Sequence, residues 1–162
     1  MRYCNFLLFF MSFSVFSANW PYSEKVLQEE LKSTYAKLEA RTGYCGDLRQ
    51  REITAINSDW LLSLTEQQQR IVLFNVSNIA FDRCVEKEEG DYNTALINYT
   101  AKTKDMAPFN DWMLLNANYS KEMLADLNKL DNNEIIKLSK LPVLSIPFNH
   151  RIDLSLIKGE KE

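Results

Sequence analysis

Asp82 and Glu86 stand four residues apart, so on a helix they share one face. Paired carboxylates can cleave a glycosidic bond when they flank a cleft and one of them holds its proton. Glu88 adds a third candidate acid, while Arg83 and Lys87 stand close enough to pair with these groups as ordinary surface charges. His150 is the only histidine, and Asp153 is near enough in sequence to orient it. A histidine base needs a nucleophile within hydrogen-bonding reach, and no glycine-flanked serine or cysteine stands out. Glu86, Glu88, Glu89 and Asp91 crowd together, but without the alternating Asp/Asn ladder of a calcium loop. Two cysteines and one distant histidine give no zinc ligand set. No phosphate-binding glycine loop or dinucleotide fingerprint is present, and the residues call for no cofactor or metal.

Cys45 and Cys84 are the cysteines left once a leader is removed. In residues 1–18, Arg2 is the only charge, and the run from Cys4 to Phe16 is apolar apart from Asn5, Ser12 and Ser14. That is the layout of a secretory signal, with cleavage expected after Ser17 or Ala18. An exported chain with two cysteines is expected to pair them. A Cys45–Cys84 bridge would close a loop of about 40 residues and contribute about 4 kcal/mol. The protein therefore reads as exported, periplasmic or secreted. The formal net charge is -3 and no Lys/Arg-rich block occurs, which argues against a nucleic-acid partner. Past the leader no stretch is apolar enough to span a membrane. Asn75, Asn98 and Asn118 each open a glycosylation-type triplet, relevant only in a eukaryotic source.

The elements that must position these residues are helical. Thr65 to Glu89 is the central one, with Thr65 and Gln68 in a capping-box pattern and no interruption before Gly90. Leu73, Val76, Ala80 and Cys84 form one apolar row. Val72, Ile79 and Phe81 widen it, and Phe74 lies further round, as in the hub helix of a bundle. Asn75 and Asn78 interrupt this helix as inter-helix hydrogen-bonding groups, as its wet side, or as a polar site for a small ligand inside the bundle. Before the hub, Leu27, Leu31, Tyr35 and Leu38 predict a helix from Tyr22 to about Arg41, stopped by Gly43. Asp47 is placed to cap a second helix running past Ile56 to Trp60, with Ser58 restarting a short turn.

After the hub, Tyr92, Leu96 and Tyr99 predict a separate helix from Asp91 to Lys102. Phe109, Trp112, Met113 and Leu115 predict a short helix of large anchors. A loop at Asn116 to Tyr119, a cap at Ser120, and an Asp131–Glu134 capping box opening a last helix follow. Leu141-Pro142 stops it. From Leu144 to Leu156 every second residue is apolar except His150, the pattern of an extended segment with one covered side.

The fold expected is an all-α, single-domain bundle of five to seven helices over residues 19–142. A short extended or β-hairpin arm follows at 143–162. The function expected is non-enzymatic binding of another protein, as an inhibitor, immunity factor or accessory subunit. Outward Arg151, Asp153 and Ser155 on the arm are the expected contact row, its open backbone edge from residue 151 to 157 being free to accept a strand. The alternatives are a small cell-envelope hydrolase using carboxylates, or a carrier of a small apolar ligand between helices.

Overall fold

The computed structural model describes residues 22–115 and 121–159. The leader expected at 1–18, the triplet at Asn118, the loop and cap expected at 116–120 and the end of the charged tail lie outside the described residues.

Ser23 caps the first helix, α1 (Glu24–Leu48), accepting from the Val26 N–H. The helix does not stop at Gly43. It continues through Gly43 and Gly46, neither of which takes a positive φ. A left-handed cap needs a chain free to leave the helix. Here Cys45 is fully buried and bonded to Cys84, with Cα atoms 6.1 Å apart, so this turn packs on the next long helix. Asp47 therefore sits inside α1, and no second helix starts there. Residues 49–55 are irregular instead, and they lead into β1 (Ile56–Asn57). Ile53 and Ile56 are β-branched, poorly placed in a helix, and both are buried.

Ser58 then caps α2 (Asp59–Ser63), as its sequence position predicts. Thr65 and Gln68 form the reciprocal capping box of the hub, α3 (Glu66–Thr103). At 38 residues it is longer than its sequence predicts. Gly90 is helical, and the helix expected at Asp91–Lys102 is its continuation. Thirty-eight residues at 1.5 Å each span roughly 57 Å. Lys104 closes it in a left-handed conformation, φ 64°, its N–H bonded to the Thr100 carbonyl. The remaining helices are α4 (Ala107–Leu115), α5 (Lys121–Leu127) and α6 (Asn132–Leu138), the last capped by Asp131.

The arm is not a hairpin. A turn at Leu141–Ser145 is followed by extended chain, a 3-10 turn at Leu154–Leu156, and β2 (Ile157–Lys158). β2 pairs in parallel with β1, Ile56 opposite Ile157. The backbone from 151 to 157 thus gives no continuous strand edge, because the 3-10 turn interrupts it. The alternation holds in part. Leu144 and Phe148 are fully buried, whereas Ile146 is 47% exposed because the preceding turn rotates it outward. Burying a side chain such as Phe148 contributes about 2–3 kcal/mol.

The arm is fastened by polar contacts as well. Arg51 donates to the carbonyls of Pro147 at 3.0 Å and Ile146 at 2.9 Å, and also to that of Val143. One apolar cluster lies beneath it, joining Ile56, Leu61, Val72, Leu73, Val76, Leu138, Leu144, Phe148 and Ile157. A second lies beside the disulfide, where Leu38 and Cys45 of α1 meet Val85, Tyr92 and Leu96 of α3. Among the described residues no helix is long and apolar enough to cross a membrane.

Candidate functional site

The helices α1 and α3 run antiparallel. Cys45 meets Cys84, Arg41 lies 3.8 Å from Glu88, and the Tyr35 ring meets that of Tyr92 at a tilt, centroids 5.6 Å apart. Beside this seam a cleft of about 530 Å³ opens between α1, α3 and α4. Its walls are stripes at helical spacing: Tyr35, Leu38, Glu39 and Thr42 from α1, and Phe74, Asn78, Phe81, Asp82, Val85 and Glu89 from α3. Trp112 and Leu115 of α4 form its third side, and Arg49 enters from the segment just after α1.

Trp112 is oriented by Tyr92, ring centroids 4.9 Å apart and nearly perpendicular. Arg49 is set by three neighbours. Its guanidinium lies 4.1 Å over the Phe81 ring, a terminal nitrogen donates to Asn78 Oδ1 at 3.3 Å, and Asp82 attracts it. Its Nε is buried without a hydrogen-bond partner. Burial lowers the pKa of Arg49, against the opposing pull of Asp82. Burial likewise raises that of Asp82, with Arg49 partly offsetting it. Glu89 is raised by burial first and by the charge of Asp82 second.

The carboxylates singled out by spacing are thus dispersed. Asp82 shares the cleft with Glu89, two turns along α3, and with Glu39. Glu86 faces a neighbouring hollow with Arg83 and Asn93, though Asp82 and Glu89 border that hollow too. Glu88 is drawn to Arg41. Lys87 binds Asp91 at 2.9 Å, and Arg83 donates to the Ser139 carbonyl at 2.7 Å. Among the described residues no group of three or more His, Cys, Asp or Glu side chains could hold a metal ion. Asn78 belongs to the cleft, as the support for Arg49.

His150 packs edge-on against Phe74, ring centroids 5.1 Å apart. Burial lowers its pKa, helped by Arg151 and Arg49. Together with Arg70, Met123 and Arg151 it lines a small hollow whose shared wall with the cleft is Phe74. Arg151, Asp153 and Ser155 are all exposed. Asp153 accepts from the Ser155 N–H at 2.9 Å, which caps the 3-10 turn.

Sequence reasoning reached Asp82 but missed Glu39, Arg49 and Glu89 as its companions. The missing signal was tertiary. The stripe on α3 is legible at helical spacing, but only the antiparallel register with α1 makes it a wall. Comparison of the chain with protein-family models, curated proteins and solved structures gives no match.

Proposed function

We propose that this is an exported, non-enzymatic protein that binds another protein, as an inhibitor, immunity factor or accessory subunit. The observation that carries this reading is the cleft between α1, α3 and α4. It is large enough for a side chain, has aromatic walls and a fixed Arg49, and lies beside exposed apolar groups. Met113, Leu114 and Leu115 at the end of α4 are 57%, 79% and 67% exposed. Exposed apolar groups gathered beside a cleft are a mark of protein-interaction sites and ligand grooves. The disulfide is compatible with an oxidising, exported location. Phe74 joins the cleft to the hollow at Arg151, so the outward row Arg151, Asp153 and Ser155 extends the same proposed contact face.

A carrier of apolar ligands fits less well, because Glu39, Arg49, Asp82 and Glu89 all line the cleft. A carboxylate hydrolase has one observation in its favour. Glu39 and Glu89 come from opposite helices onto one cleft, and Glu89 holds its proton more tightly than usual. Glu89 is only partly buried, however, whereas an acid protonated near neutrality needs a strongly desolvating pocket.

A photo-crosslinking residue placed singly at Thr42, Leu115 or Ser155 tests the reading in the native exported fraction. The expected result is one discrete protein adduct from these positions and none from Lys25 in the first turn of α1. No adduct, together with release of reducing sugar from envelope material by the purified protein, would replace this reading with the hydrolase.

A further inference from the structure

We propose that the cleft receives a basic side chain of the partner, an arginine or a lysine, clamped between Glu39 and Glu89. This deepens the protein-binding reading and rests on it. The register of the two helices carries the inference. Cys45 against Cys84, Arg41 beside Glu88 and Tyr35 on Tyr92 fix the antiparallel alignment. In that alignment Glu39 stands level with Glu89, one on each helix, with the cleft between them.

Neither carboxylate has an ion-pair partner among the described residues. Arg49, held beside Phe81 and Asn78, attracts Asp82 and only partly offsets the effect of its burial. At the level of Glu39 and Glu89 the described lining of the cleft offers two carboxylates, its one cation being Arg49. Tyr35 and Trp112 border the same level, and aromatic faces attract a cation as well as covering its aliphatic stem. The cleft already shows this chemistry on a smaller scale, since it holds the guanidinium of Arg49 4.1 Å from the centre of the Phe81 ring. A partner carboxylate would meet Glu39, Asp82 and Glu89 together, and a purely apolar side chain would leave the two facing carboxylates without a counter-charge.

The test uses the full exported chain and two soluble probes, Nα-acetyl-arginine amide and Nα-acetyl-norleucine amide, followed by NMR at the Trp112 indole N–H and the Glu89 carboxyl. The arginine probe is expected to shift both signals saturably, with Kd about 1–10 mM for a single side chain. The norleucine probe is expected to leave them in place. Glu39→Gln with Glu89→Gln should weaken the arginine probe at least tenfold while the rest of the spectrum stays unchanged. Equal binding of the two probes, or arginine binding that survives the double substitution, overturns the proposal. If the arginine probe fails while the Thr42 and Leu115 crosslinks still capture one protein, the basic-residue inference falls and the binding reading stands. If the probe binds as expected but no protein is captured, the cation clamp stands and the protein-binding reading falls.

Discussion

Ser77, in the first third of α3, donates its hydroxyl to the carbonyl of Phe148 at 2.7 Å, and both residues are buried. The bond joins the hub helix to the arm inside the core, where water cannot substitute. Ser77→Ala leaves that carbonyl unsatisfied and should cost about 1–3 kcal/mol. Ser63→Ala is the control. Ser63 makes a bond of the same type to Trp60 on the exposed surface, and its loss should stay within about 0.5 kcal/mol. Urea unfolding of the two variants checks this. Equal midpoints would show that the arm is not held through Ser77.

The two helices that run through glycines give a prediction of opposite sign. Gly43 and Gly90 are helical and exposed, and an added Cβ would meet nothing within 4 Å at either. Alanine at each should therefore stabilise by about 1 kcal/mol. Thermal unfolding of Gly43→Ala and Gly90→Ala measures it. A fall in Tm for either would mean that the chain leaves the helix at that glycine.

Glu89 titrates above its ordinary 4.5, first through burial and then through Asp82. Asp82→Asn should lower the Glu89 midpoint in a carboxyl NMR titration without restoring it fully, because the burial remains. The linkage has a definite sign. A carboxyl whose folded pKa is raised contributes stability that is present below its unfolded pKa and lost as pH rises through the folded one. Glu89→Gln removes that loss. Its Tm relative to the wild type should therefore improve as pH rises above the ordinary carboxyl range of about 4. A difference that is flat or falls with pH would contradict the assignment.

Cys45 and Cys84 enclose a sequence separation of 39 residues. Replacing both by alanine should cost about 2–4 kcal/mol. Because Arg49 follows Cys45 by one helical turn, the same change should broaden the Trp112 indole signal in the cleft. The unmodified protein should show no free thiol at these positions in a non-reducing mass measurement. Two titratable thiols there would refute the bridge.

Three helix starts were legible because each carries its own side-chain signal, whereas the starts expected at Asp47 and Asp91 fall inside longer helices. Thr65 with Gln68, Ser58 and Asp131 all cap where their local spacing places them. The helix ends were not legible in the same way. Gly43 and Gly90 have no side chain, so whether they stop a helix depends on what the flanking turns pack against. At Gly43 the buried Cys45 decides in favour of continuation. The core row Leu73, Val76 and Ala80 was readable and is buried. In the arm, covered and open positions were readable at Phe148 and Arg151 but not at Ile146, where a backbone turn breaks the period. The cleft was the least legible part. Asp82 was visible as an acid, but its local companion Glu86 proved less informative than Glu39, which only tertiary register brings near.

Arg51 has a kinetic consequence. Its bond to Pro147 spans 96 residues, and the β1–β2 pairing beside it spans a similar length of chain. Contacts so far apart in sequence close slowly, because a long loop must be ordered before any of its contacts return free energy. Ile53, Ile56 and Leu61 share one apolar cluster with Phe148 and Ile157. A chain emerging from its start therefore cannot finish burying its front segment until almost the last described residue has been made. The arm behaves as a closing latch. The order of synthesis itself defers closure of this cluster, while the cluster beside the disulfide needs nothing beyond Trp112.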